Sequence, residues 1–99
     1  MLQIDVSVEA EEDRDQITAY TTRTWGWRQT NRYLAKLEDG FELLALNPSI
    51  GRSCDSICPG LRRFEIGKHV VFFILEPKGI QIVRILHQQM IPTKSHFEN

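Results

Sequence analysis

The chain has 99 residues, with 12 Lys and Arg against 13 Asp and Glu, for a formal net charge of −1. That balance argues against a protein that grips nucleic acid chiefly by its phosphates, and the length allows one domain with a modest core. The longest apolar run, Val70 to Leu75, is far too short to cross a bilayer, and the opening MLQIDVSVEAEED turns acidic where a secretory signal is basic and then apolar, so the sequence points to the cytoplasm.

Leu2, Ile4, Val6 and Val8 alternate with polar residues, which predicts a half-buried strand. From Glu9 the period changes. Ala10, Ile17, Tyr20 and Thr24 share one helical face with Asp13 as its polar exception, and Glu9, Glu11, Glu12 and Asp13 suit a helix N-terminus. Gly26, between Trp25 and Trp27, ends this helix. The two tryptophans are expected in the core and as a cap of the hairpin. Thr30, Tyr33, Leu34, Leu37, Phe41 and Leu44 then form the apolar stripe of a second helix, which Leu46-Asn47-Pro48 stops. So short a connection makes the helices an antiparallel hairpin.

NPSIGRSCDSICPG reads as a loop. Its cysteines, Cys54 and Cys58, are two ligands short of a zinc site and are expected to stay reduced. Three strands follow. LRRFEIG alternates, HVVFFILE is apolar on both faces and therefore central, and GIQIVRILH closes the sheet after a turn at Glu76-Pro77-Lys78-Gly79. The expected architecture is α+β and two-layered: an N-terminal strand, a helical hairpin, and a three-stranded meander forming one antiparallel sheet, all in a single domain 1–99. Residues from about 88 to 99 form a tail with too few apolar side chains for a core element. With even-numbered residues of the central strand inward, Phe72 lies at the centre of the core, and Phe72→Ala is expected to cost about 3–5 kcal/mol.

Four segments in this order carry a family resemblance: Asn47-Pro48-Ser49-Ile50-Gly51-Arg52, Pro59-Gly60-Leu61-Arg62, Gly67-Lys68-His69 and Val83-Arg84-Ile85-Leu86-His87. With Ala10 at the head of the first helix and Trp25-Gly26 at its end, the chain resembles the ParE branch of the ParE/RelE toxin superfamily over most of its length. The resemblance implies a RelE/ParE-like fold with strand one beside the last strand. It implies a toxin of a type II toxin–antitoxin system that inhibits DNA gyrase and is neutralised by a ParD-like antitoxin in a hetero-oligomer. Candidate target contacts on this reading are Arg62, Arg63, Arg84, His87, Gln88, Gln89 and Met90. The chain departs from the family pattern at His87-Gln88-Gln89-Met90-Ile91, where H-x-R-M-D is usual, and at Cys58, where arginine is common.

A RelE-like ribosome-dependent endoribonuclease is the alternative. Cutting RNA needs cations and acid–base groups converging on one phosphate. Arg84 and His87 lie three apart on a strand, which places them on opposite faces. Arg84 is expected to pair with a carboxylate or satisfy helix carbonyls, Arg52 to tie the loop to the sheet, His69 to be structural, and His87 to bond a local backbone group. No catalytic residue, metal, cofactor, membrane contact or sequence-specific nucleic-acid contact is expected. A single helical layer leaves the second face of the central strand bare, so Val71, Phe73, Leu75, Val83 and Ile85 are expected to form an exposed apolar patch that takes the antitoxin, the alternative being cover by the C-terminal tail through Met90, Ile91 and Phe97. A non-toxic member that only binds its antitoxin is the third reading.

Overall fold

The structure, a computed structural model, describes residues 2–98. Strand β1 (Gln3–Val6) leads into helix α1 (Val8–Trp25), and helix α2 (Trp27–Leu46) returns beside it. After a 3-10 turn at Pro48–Ile50 come a two-residue strand β2 (Arg52–Ser53), then β3 (Arg62–Ile66), β4 (His69–Glu76) and β5 (Gly79–His87). Ser7 caps α1: its hydroxyl accepts from the Ala10 amide and donates to the Val83 carbonyl, fixing the helix start against β5. Gly40 lies where α2 crosses β3. A Cβ there would overlap the Ile66 side chain, so the small residue that weakens the helix permits the close packing of the two layers.

The five strands run in the order β1-β5-β4-β3-β2. Strand one does lie beside the last, but the pair is parallel, with Gln3 opposite Gly79 and Val6 opposite Ile82. The sheet is therefore mixed, not wholly antiparallel. The physical reason is the long hairpin between β1 and the meander, which lets the chain re-enter the sheet in either direction.

The facing of the central strand also differs from expectation. Val71 and Phe73 point to the helices, where they join Leu37, Phe41, Leu44, Ile80, Ile82 and Ile85 in the main core. Phe72 is just as buried, but on the other face, with Cys54, Leu61, Val70 and Leu86. A strand apolar on both sides holds no clue to its own facing. The register with β3 decides it, since Phe64 opposes Val71 while Arg63 opposes Phe72. A bulge then shifts β5: Arg84 pairs with Phe72 and Ile82 with Phe73, so Val83 is the extra residue. Even-numbered Ile80 and Ile82 precede it on the helical face and odd-numbered Ile85 follows on the same face.

The second face of the sheet is closed by the chain itself. Ile57 and Cys58 of the loop pack on it, and Phe97 of the tail sets its ring edge-on to Phe72 at 5.0 Å between centroids. Val71, Phe73 and Ile85 are therefore core residues, not an exposed patch, Val83 is half-buried in the bulge, and only Leu75 of that group is exposed. The tail folds back, with a 3-10 turn at Lys94–His96. Trp25 and Trp27, expected in the core and hairpin cap, are about two-thirds exposed at 66% and 64%.

Candidate functional surfaces

Arg84 and Asp13 form a bidentate ion pair at the edge of β5. Past Val6, β1 no longer covers β5, and the first turns of α1 run along the bared strand edge. Asp13 fills the place of a strand there: one of its oxygens accepts from the Ile85 amide at 2.9 Å. Arg84 reaches round the edge to the same carboxylate through Nε at 2.8 Å and Nη2 at 2.9 Å, and its Nη1 donates to the His96 carbonyl at 3.0 Å. One guanidinium thus joins α1, β5 and the tail. The carboxylate beside it holds its pKa above the ordinary arginine value. The carboxylate pairing expected of Arg84 is present, and it takes Arg84 out of the set of residues free to meet a target.

On the opposite face, His87 lies across from His69, with ring centroids 5.4 Å apart, and Tyr33 of α2 packs edge-on against His69. The Tyr33 hydroxyl is 2.5 Å from His69 Nδ1 and accepts from the Lys68 amide at 3.0 Å. His87 Nδ1 accepts from the Gln89 amide, a local backbone bond of the kind expected. Arg84 and His87 thus stand on different faces, as the strand period requires. Arg62 donates to the Gly51 carbonyl, and Arg63 lies over the Phe72 ring. Arg52 bridges Glu65 at 2.7 Å and so ties the loop to the sheet. Of the target-contact candidates, Gln88, Gln89 and Met90 are exposed at the strand exit, while Arg62, Arg63, Arg84 and His87 are partly buried in structural contacts.

His69 is pushed down to about 4, first by burial and then by the neighbouring His87, with Asp13 opposing. The folded protein therefore keeps His69 neutral where an unfolded chain would protonate it. The contribution of His69 to stability is full above pH 6.5, declines as pH falls from 6.5 towards 4, and changes no further below that. Because the ring is only half-buried, the slope is a fraction of the ~1.4 kcal/mol per pH unit that one full proton sets. Urea midpoints of wild type and His69→Gln between pH 6.5 and 5 test this. The wild-type midpoint should fall more steeply, and parallel curves would refute it.

Elsewhere, two surfaces include exposed apolar residues, Leu2 and Leu46 at one and Tyr20, Trp25 and Trp27 at the other. Leu2, Ile4, Ala45 and Leu46, with Glu42 and Lys78, line an open groove of about 640 Å³ beside the free edge of β1. Tyr20, Trp25 and Trp27 stand at the tip of the hairpin. Sequence reasoning missed both. The helix period puts Tyr20 inward, and the tryptophans beside Gly26 read as core and hairpin cap. The signal that pointed outward was charge: residues 16–37 hold Arg23, Arg28, Arg32 and Lys36 and no acid.

Among the described residues, no group of three or more His, Cys, Asp or Glu could hold a metal ion, and no helix is long and apolar enough to cross a membrane. Both cysteines are free thiols, Cys54 buried and Cys58 partly so. What the molecule presents is a small two-layer α+β scaffold with apolar and aromatic surfaces at its edge and at one end. Residues 4–92 match the family model described as the ParE toxin of the type II toxin–antitoxin system parDE. The chain is 38% identical over 86 residues to Toxin ParE1 of Mycobacterium tuberculosis, covering 86% of this chain and 88% of that one. It is 36% identical over 88 residues to Toxin ParE of Escherichia coli, covering 86% and 84%. The fold is similar to that of a chain in the chromosomal ParDE system from P. aeruginosa, with a TM-score of 0.74 at 21% identity, over 88% of this chain and 96% of that chain. The chain belongs to the ParE toxin family and is the toxin of a type II toxin–antitoxin system.

Proposed function

We propose that this toxin acts in the cytoplasm by binding DNA gyrase and inhibiting it without chemistry of its own, and that a ParD-like antitoxin neutralises it in a hetero-oligomer. Family membership supports the target and the antitoxin. The observation that carries the non-catalytic part is the engagement of Arg84 by Asp13. The arginine of the last strand, on the face opposite His87, reaches round the strand edge and is committed to a buried carboxylate. Stabilising charge on a scissile phosphate needs cations and proton-transfer groups aimed at one point, and this pairing removes one of them.

The antitoxin's apolar segment is assigned to the groove beside β1. An open strand edge next to exposed Leu2 and Leu46 offers backbone pairing and side-chain burial together. The target is assigned to the strand exit, Gln88 to Met90, where the three side chains stand free of the sheet.

A supercoiling assay with purified gyrase tests the reading. Inhibition by the purified toxin, relieved by stoichiometric antitoxin, is the expected result. Undiminished supercoiling at large excess of folded toxin would leave a protein that only binds its antitoxin. Codon-specific cleavage of messages on induction would mark an endoribonuclease.

A further inference from the structure

The tip of the helical hairpin has no role in the fold that accounts for its composition. Trp25 and Trp27 are about two-thirds exposed and Tyr20 is 58% exposed. They do not sit on a loose loop. Gly26 takes a φ of +88°, its amide donates to the Thr22 carbonyl, and its own carbonyl accepts from both the amide and the hydroxyl of Thr30. The Thr22 and Thr30 hydroxyls are bonded at 2.8 Å, and Thr30 is buried. The two helix ends are stapled, and the aromatic rings are held outward on a rigid support. Preorganised aromatic side chains lose little entropy when a partner covers them.

The cations around them are uncommitted. Arg28 lies over the Trp27 ring at 5.4 Å and Arg23 over the Tyr20 ring at 5.9 Å. Among the described residues, the ion pairs are Arg14–Glu38, Arg52–Glu65, Arg63–Glu65 and Arg84–Asp13, so Arg23, Arg28 and Arg32 have no carboxylate. The tip also reaches clear of the sheet. Tyr33 packs over the β3–β4 turn at Lys68, and six residues of helix separate it from Trp27, a projection of about 9 Å. Trp, Tyr and Arg are the residue types that dominate the energetic centres of protein interfaces. A nucleic acid is the poorer match, because the acids Glu9, Glu11, Glu12 and Asp15 along the first half of α1 oppose an extended polyanion.

We propose that Tyr20, Arg23, Trp25, Trp27 and Arg28 form a docking surface for an acidic, apolar-bearing segment of a partner protein. This surface is separate from the strand exit and from the groove beside β1, and it stands whether or not gyrase is the target.

Trp25 and Trp27 are the only tryptophans in the chain, so selectively excited tryptophan emission reports on the tip alone. The whole protein is titrated with a tryptophan-free amphipathic peptide of Glu and Leu, with its Lys and Leu counterpart, and with oligo-dT. The acidic peptide should shift the emission to the blue, with an affinity that falls as salt rises. Arg23→Glu/Arg28→Glu should weaken it by about tenfold or more. Where that variant unfolds at a lower temperature than wild type, Arg23→Gln/Arg28→Gln replaces it and should weaken binding in the same direction. An unchanged spectrum with the acidic peptide overturns the proposal, as does an equal response to the Lys peptide. A stronger response to oligo-dT also overturns it and marks a nucleic-acid surface instead.

Discussion

Asp13→Ala should destabilise the protein by about 3–5 kcal/mol, the range for breaking one side of a buried ion pair. The Asp13 side chain is 9% exposed and that of Arg84 21%. Removing the carboxylate strands a guanidinium that keeps only the His96 carbonyl, and it leaves the Ile85 amide without its acceptor. A domain of this length has a total stability of roughly 5–15 kcal/mol, so the variant should be near the edge of folding. Asp13→Ala/Arg84→Met should recover part of the loss, because the stranded charge goes with its partner and an apolar chain takes its place. Urea unfolding of the two single variants and the double closes the cycle. A cost below about 1 kcal/mol for Asp13→Ala would mean that the pair is only a surface contact.

Phe73→Ala should cost about 3–5 kcal/mol and more than Phe72→Ala, the reverse of the order expected when even-numbered residues face the helices. Both rings are almost wholly buried. Phe73 lies between two regular layers, where neither can move to fill the hole. Phe72 is covered by loop residues Ile57 and Cys58 and by Phe97 of the tail, which can settle into part of the space. Phe97→Ala should cost less than either, about 1–2 kcal/mol, through the lost ring contact and some apolar exposure. Chemical denaturation of the three variants gives the order. Phe72→Ala proving the costliest would place the main core on the wrong face.

Both predictions turn on groups whose chemistry was readable but whose neighbours were not. Arg84 was expected to find a carboxylate, yet Asp13 stood out only as an odd polar residue on an apolar face. Their meeting requires α1 to run along the part of β5 that β1 leaves bare, with Ser7 and the Val83 bulge setting the phase. The surfaces elude the sequence for a related reason. An apolar stretch such as HVVFFILE announces that two faces need cover, but not whether a partner or the chain's own tail provides it for the second face. The loop around Cys54 and a single phenylalanine near the C-terminus supply it. Family matching ends at residue 92, before the segment that carries Phe97.

Local pattern alone determined the main elements: the helix stop at Gly26, the apolar stripe of α2, the central strand, and the four segments that carry the family likeness, though not the short strand β2 inside the stretch that reads as a loop. These depend on interactions between residues near one another in the chain, which a sequence displays directly. Tertiary structure decided the parallel pairing of β1, the facing of Val71, Phe72 and Phe73, the burial of the Asp13–Arg84 pair and the exposure of the hairpin tryptophans. Each of these depends on register and layer order between distant segments. Strand alternation has a period of two, so a one-residue shift exchanges inside for outside while leaving the pattern of apolar residues the same.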